Sequence, residues 1–231
     1  MSTSGSTDFT ETARGVVKDA LVLVGVCQKD EDPTDDDAAL GLKHLNLMLK
    51  TWGADPEPKL WLVTEGTQAL SDATASYTLT AARKVLSVRR RVSSIDLPMH
   101  RWSRQEYFDQ PNKSATGYPV NYYFDPQRAS RSLYVWPVPD ATIAAAATLY
   151  YTYLRVIEDA DDLSNDLDVP QEWLEVIVYG LAARLSIPYK MHIADPNGAK
   201  RLEERAASLY AQLSAYDDED SSVYLQPNFR Y

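Results

Sequence analysis

The stretches GYPVNYYFDP, residues 117–126, and LYVWPVP, residues 133–139, lie near the middle of this chain of 231 residues. Both are rich in aromatic and β-branched residues and are interrupted by proline, a composition typical of short β-strands that end in turns. On either side of them the apolar residues recur every three or four positions, as they do on one face of a helix. The pattern therefore predicts a β-rich segment inserted between two helical segments.

Six segments of the predicted insert have the composition of strands. They are residues 60–63, 76–79, 85–88, 118–124, 132–136 and 147–154. Turn formers such as Gly66 and the Asp125–Pro126 pair separate them, and residues 103–110 favour a short helix. The short, regular spacing is typical of an antiparallel sheet or a small sandwich.

Two helices are predicted before the insert. The first covers residues 9–26, and its apolar face consists of Ala13, Val16, Val17, Ala20, Leu21 and Val24. Thr34 has the position of an N-cap for the second, with Asp37 three residues later, and Gly53 ends that helix. The apolar stripe of the second helix consists of Ala38, Leu42, Leu45, Leu49 and Trp52.

Two more helices are predicted after the insert. Pro170 suits the first turn of one helix, whose apolar face consists of Trp173, Ile177, Leu181 and Leu185. Asp195 and Pro196 begin the last helix, whose stripe consists of Ala199, Leu202, Ala206, Leu209, Leu213 and Tyr216. The side chains predicted to form the packed helical core are Leu42, Leu45, Leu49, Trp52, Trp173, Leu202, Leu209 and Leu213.

These elements predict an α+β protein, with a mainly α-helical core of about four helices and an inserted antiparallel β-rich lobe. The predicted divisions are a flexible arm (1–7), the first half of the helical core (8–56), the β-rich lobe (57–157), the second half of the core (158–216) and a C-terminal extension (217–231).

The net charge of −10 is unevenly distributed along the chain. Residues 1–57 carry 5 basic and 11 acidic side chains, residues 83–131 carry 10 and 4, and residues 158–231 carry 6 and 15. An acidic majority argues against a protein whose main task is to grip nucleic acid through phosphates. It is compatible with a surface past which DNA slides, although solubility alone explains the charge equally well.

The sequence has no apolar run long enough to span a membrane, and we expect no signal peptide. The single cysteine, Cys27, excludes an internal disulfide and is predicted to be a small core residue. Together with His44, His100 and His192 it forms no zinc-binding spacing. Acidic runs beginning at Asp30 and Asp159 lack the glycine and glutamate of an EF-hand. Phosphate-binding glycine loops are absent as well, so no metal and no cofactor is expected.

A basic cluster flanks the predicted strand 85–88 and consists of Arg83, Lys84, Arg89, Arg90 and Arg91. On a strand, alternation would direct Arg89 and Arg91 to one side and Arg90 to the other. One interpretation is a charged edge strand that resists aggregation. The other is a contact with DNA or with an acidic protein surface, and the acidic helices of a neighbouring subunit are the preferred partner.

The C-terminal extension follows an acidic spacer and carries spaced apolar anchors, namely Val223, Tyr224, Leu225, Phe229 and Tyr231. Disordered tails usually lack such residues, and spaced anchors commonly become ordered on a partner because each one fills a pocket. The alternative is that the extension folds back over its own domain.

Several phrases, taken in order, resemble the head-to-tail adaptor (tail accessory factor, or head completion) family of short-tailed phages and gene transfer agents. They are PTDDD at 33–37, LNLML at 45–49, WG at 52–53, the two central stretches, LDVPQEW at 167–173 and YGLAA at 179–183. The resemblance covers about residues 10 to 215.

The resemblance implies a structural connector with no catalytic residues. In that family, copies assemble as a dodecameric ring beneath the portal protein after DNA packaging, with the helical pairs supplying most subunit contact. The ring extends the DNA channel, retains the genome and docks later nozzle or tail-hub proteins, while double-stranded DNA passes without sequence-specific contact. The implied location is the virion neck or tail, after assembly in the host cytoplasm, with residues 223–231 reaching into the portal.

Two other functions remain open from the residues alone. A tail-associated peptidoglycan hydrolase would need paired carboxylates, which Glu11, Glu65, Glu106, Glu158 or Glu172 could supply. A monomeric DNA-binding module would have a strongly salt-dependent affinity.

Overall fold

The computed structural model describes residues 4–54, 59–128 and 130–216. It divides the chain into two compact units. One comprises Met1–Trp61 and Ile157–Tyr231, and the other comprises Leu62–Val156. We call them the helical unit and the β unit. The predicted α+β class is confirmed.

The described residues form seven α-helices. They are α1 (Ala13–Val24), α2 (Asp35–Gly53), α3 (Arg104–Asp109), α4 (Ala141–Ala146), α5 (Leu174–Leu185), α6 (Met191–Ala194) and α7 (Pro196–Tyr216). Two short 3-10 helices cover Leu60–Leu62 and Gln171–Trp173. The helical unit thus contains five described α-helices where the sequence predicted about four, because the short α6 was not anticipated.

The described residues also form eight strands, all in the β unit. They are β1 (Val63–Ala69), β2 (Ser76–Thr78), β3 (Ala82–Val92), β4 (Ile95–Pro98), β5 (His100–Arg101), β6 (Asn121–Pro126), β7 (Arg131–Trp136) and β8 (Ala147–Arg155).

Helix α1 is shorter than its predicted range of 9–26 because a cap fixes each end. Thr12 is the N-cap, and its side chain accepts a hydrogen bond from the backbone N–H of Gly15. Gly25 ends the helix with φ of 81°, a left-handed conformation that glycine adopts without a steric penalty. The six apolar residues predicted to share one face of α1 are all buried.

Helix α2 begins at the predicted cap. The Thr34 hydroxyl accepts a hydrogen bond from the Asp37 backbone N–H, and three aspartates in the first turn favour the positive end of the helix dipole. The side chains of Leu45 and Leu49 are buried, while Leu42 and Trp52 are half-buried. Buried Gly41 brings α2 close to α1, and a Cβ atom there would overlap Cγ1 of Val17.

Helices α5 and α7 pack against each other in opposite directions. Trp173, just before α5, contacts Tyr210 near the end of α7, with ring centroids 5.8 Å apart. Leu202 and Leu209 are buried and Leu213 is half-buried. The predicted stripe fails at its end, because Tyr216 is 83% exposed. At that point α7 extends beyond the described residues that pack against it.

A half-buried hydrogen bond ties the segment after α5 to the start of α2. The Tyr189 hydroxyl donates a hydrogen bond of 2.5 Å to the Asp37 carboxylate. Hydrogen bonds from Thr34 and then from Tyr189 hold the pKa of Asp37 below its usual value. A carboxylate with a lowered pKa in the folded state stabilises the fold above its unfolded pKa of about 3.9, and this stabilisation is lost as the pH falls through the folded value.

We therefore expect Tyr189→Phe to lower the free energy of unfolding by about 1 kcal/mol at pH 7, the low end for a hydrogen bond to a charged group because Asp37 is partly solvated. The difference from the native protein should begin to shrink below about pH 4 and should be lost as the pH falls through the lowered pKa of folded Asp37. Urea titrations at pH 7 and at a pH well below 4 measure it. Tyr216→Phe, which removes an exposed hydroxyl, is the matched control. An equal loss at both pH values would contradict the role assigned to the charged carboxylate.

The β unit consists of two four-stranded sheets, in the orders β1-β8-β3-β4 and β2-β7-β6-β5. All neighbouring strands are antiparallel except β5 and β6. One hydrophobic cluster takes side chains from both sheets, including Val85 and Leu149 from one, and Phe124 and Leu133 from the other. This is the arrangement of a small sandwich.

Several details of local structure differ from the prediction. Residues 60–62 form a 3-10 helix rather than a strand, and α4, β4 and β5 were not predicted. Strand β4 returns along β3 after a two-residue turn in which Ser93 and Ser94 have φ of 49° and 71°. Cys27 is half-buried in the loop after α1 rather than in the core, and its thiol donates to the carbonyl of Glu31. No helix in the described ranges is both long and apolar enough to cross a membrane.

Candidate functional site

The basic cluster lies on β3, where partners within the β unit neutralise two of its members. Arg89 Nη2 lies 2.6 Å from Glu65 Oε1. The guanidinium of Arg91 forms two hydrogen bonds with the carboxylate of Asp96, at 2.5 and 2.7 Å, and lies 3.9 Å from the ring centroid of Tyr150. The hydrogen bond from Arg91 lowers the pKa of Asp96. A partner that binds this face must therefore compete with, or extend, an existing network.

Arg90 points to the opposite side of β3, as the alternation predicts. It is 9% exposed, donates a hydrogen bond of 2.9 Å to the carbonyl of Pro119, and lies 4.7 Å from the ring centroid of Tyr118. Burial lowers the pKa of its guanidinium. Arg83 is half-buried and Lys84 is exposed. The contact of these five basic residues with an acidic partner or a neighbouring subunit stays a prediction.

An aromatic cluster, which the sequence did not predict, covers the outer face of the second sheet. The rings of Tyr107, Tyr123 and Tyr134 form a triangle, with centroids 5.3 Å apart for Tyr107 and Tyr123, 5.8 Å for Tyr123 and Tyr134, and 5.0 Å for Tyr107 and Tyr134. Helix α3 supplies Tyr107, and the reciprocal hydrogen bonds between Ser103 and Glu106 fix where that helix starts. The only signal in the sequence was the outward position of the tyrosines on their strands, which does not reveal that a helix covers them.

Aromatic rings also meet in the helical unit. Trp52 lies 5.3 Å from Tyr210 and 5.8 Å from Trp173, measured between ring centroids. The ammonium of Lys59 is 4.7 Å from the centroid of Tyr210 and donates to the hydroxyl of Ser214 at 2.9 Å. Helix α2, Lys59 and helix α7 are thus held together around Trp173, just before the start of α5.

A groove runs beside this cluster over the surface of α5, between α2 and α7. Its volume is about 210 Å³, and its lining includes Met48, Trp52, Gly180, Arg184, Ala207 and Tyr210. Gly180 forms part of the floor, where an added Cβ would lie 3.0 Å from Met48 Sδ and 3.4 Å from Trp52 Cζ2. The walls are apolar and aromatic, and the lining also includes the guanidinium of Arg184.

The acidic loop before α5 surrounds a hollow lined by Glu158, Asp159, Asp161, Asp166 and Asp168. Helix α2 holds the loop in place. The Asn46 amide exchanges hydrogen bonds with the backbone of Ala160, and Lys50 pairs with Asp159 at 2.7 Å. Within residues 4–54, 59–128 and 130–216, no group of three or more His, Cys, Asp or Glu side chains is placed to hold a metal ion.

Two of the glutamates considered as catalytic acids have structural partners in the β unit. Glu65 pairs with Arg89. Glu106 accepts a hydrogen bond of 2.6 Å from the Ser103 backbone N–H, which lowers its pKa. A general acid of a glycosidase needs the opposite shift.

The predicted portal-binding residues, Val223, Tyr224, Leu225, Phe229 and Tyr231, lie outside the described residues.

The family model of the SU10 adaptor protein matches residues 12–228, so this chain belongs to that family. Membership confirms the predicted adaptor class and, with it, a location in the neck or tail of the virion. Among solved structures, a chain from the neck of an empty gene transfer agent particle with C6 symmetry is similar, at 11% identity and a TM-score of 0.29. The similarity covers 75% of this chain and 81% of that one. No curated protein sequence matches the chain.

Proposed function

We propose that this protein is a structural head-to-tail connector that forms a ring beneath the phage portal. The ring extends the DNA channel, retains packaged DNA, and docks the nozzle or tail-hub proteins that join later. The observation that carries the proposal is the family match over residues 12–228. A ring of about twelve identical subunits needs one repeated contact between two different surfaces of the chain.

Exposed apolar side chains on the helical unit support subunit contact. Ile187 and Ile193, in the segment between α5 and α7, are 63% and 69% exposed. Both side chains leave apolar surface that a partner could remove from water. We assign this segment to the contact with a neighbouring subunit or with the portal.

The charge distribution supports the passage of double-stranded DNA without tight binding. The net charge of −10 repels phosphates over much of the chain. The main basic segment is partly compensated, since Arg89 and Arg91 pair with Glu65 and Asp96. A DNA-binding module would keep such cations available for phosphates.

A structural rather than catalytic role is part of the proposal. Glu65 and Glu106 are committed to an ion pair and to a helix cap. A peptidoglycan hydrolase would instead place two carboxylates across a cleft, one of them with a raised pKa.

Light scattering coupled to size exclusion, on the protein alone and mixed with its portal ring, tests the proposal. We expect the portal peak to gain the mass of about twelve copies, the number in a closed ring matched to the portal. Bovine serum albumin at the same concentration is the control for non-specific mass gain. A portal peak of unchanged mass would contradict the connector function and make a cell-wall hydrolysis assay the next step.

A further inference from the structure

We propose that the groove on the helical unit binds the C-terminal segment of the same chain, residues 221–231, in the free protein, with an aromatic side chain inserted between α2 and α7. This intramolecular contact goes beyond the connector function, because it concerns the protein before it meets any partner.

The first argument is the chemistry of the groove. Trp52 and Tyr210 form aromatic walls and are only half-buried, while Ala207 is exposed. A volume of about 210 Å³ suits one large side chain. The segment offers Tyr224, Leu225 and Phe229, each of which would remove apolar surface from water by entering.

The second argument is reach. The segment continues from Tyr216, the last residue of α7, and α7 is itself one wall of the groove. Returning from Tyr216 to the level of Ala206 takes about 15 Å along the helix axis. Residues 217–231 span up to about 50 Å when extended. The chain can therefore turn at the end of α7 and follow the groove back without leaving its own subunit.

Limited chymotrypsin cleavage of the full-length protein tests the proposal, with mass spectrometry to follow loss of residues after Tyr224, Leu225 and Phe229. We expect Ala207→Glu, which places a charged side chain in the groove, to speed cleavage of the segment at least about tenfold, equivalent to about 1.4 kcal/mol. The matched control is Ser208→Glu, which introduces the same charge at an exposed position on the opposite side of α7. Equal rates in the native protein and both variants would overturn the proposal.

A second measurement does not depend on how the variants fold. An excess of a synthetic peptide with the sequence of residues 221–231 should displace the native segment and accelerate its cleavage in the unmodified protein. No acceleration would count against the groove as the binding site. Protection that rises with protein concentration, in a range where sedimentation shows a monomer–dimer equilibrium, would mean that the segment binds a second copy, and would overturn the intramolecular contact. Because no portal is present, these results are independent of the connector function.

Discussion

Deletion of residues 221–231 is expected to weaken attachment of the protein to its portal ring at least about a hundredfold, while the free energy of unfolding falls only by about 1.4 kcal/mol, the contribution of the segment's contact with its own groove. The deleted segment carries the apolar anchors Tyr224, Leu225 and Phe229. Loss of two anchor side chains, each worth about 2 kcal/mol or more, is sufficient for a change of this size. The packed helices end at Tyr216, so the folded core should be preserved.

The comparison needs a variant that keeps the length of the segment. Replacing Tyr224, Leu225 and Phe229 together by serine should reproduce the loss, whereas replacing Ser221 and Ser222 by alanine should have little effect. Co-sedimentation with the portal ring measures attachment, and urea titration measures stability. Full attachment of the deletion variant would contradict a portal contact made by this segment and would shift attention to the exposed Ile187 and Ile193.

The helices could be predicted because the information for them is local. In α1, every residue of the predicted apolar face is buried, and at α2 the predicted cap at Thr34 forms. Both features depend on residues within one or two turns of each other. Where the prediction failed, at Tyr216, the stripe itself is regular but nothing in the described chain lies over it. Burial depends on neighbours in space, which periodicity does not specify.

The sequence predicted that the insert is β-rich and antiparallel, but not the full set of its strands. Strand pairing, like burial, depends on residues that are distant in sequence. Strand β3 pairs with β8, so that Val92 lies opposite Ala147, more than fifty residues away in sequence. Strand β4 is fully exposed, with Ile95 64% exposed, and so lacks the alternation that identifies a half-buried strand. Residues 60–62 have the composition of a strand but form a 3-10 turn at the entry to β1.

The candidate sites show the same division. The opposite directions of Arg89 and Arg90 follow from strand geometry alone, but the partners Glu65 and Pro119 come from distant segments. The groove could not be predicted from the sequence, because α2, α5 and α7 each contribute one side of it. The only local signal was Gly180, a small residue inside a helix, which indicates that another helix packs closely there. The sequence did not show that this helix is α2.

Gly41→Val is expected to destabilise the protein by about 2–3 kcal/mol, the range for forcing extra methyl groups into a packed contact. Buried Gly41 lies where α2 crosses α1, and a Cβ there would overlap Cγ1 of Val17 and lie 3.2 Å from its Cγ2. Val17 is fully buried, so it has no free space into which to move. The exposed position Ala39 provides the matched control, because Ala39→Val adds a β-branched side chain to the same helix at a cost of about 0.6 kcal/mol.

Because the added Cβ overlaps a single side chain, that of Val17, a second substitution at Val17 should offset part of the stability lost in Gly41→Val. Val17→Ala alone should destabilise the protein by about 1–2 kcal/mol through the cavity it leaves. Combined with Gly41→Val, it should cost less than the two changes added together, because the new methyl groups fill the space vacated by Val17. Chemical denaturation of all four proteins measures the coupling. Strictly additive losses would show that Gly41 is not where α1 and α2 meet, and the packing of the helical unit would then need a different explanation.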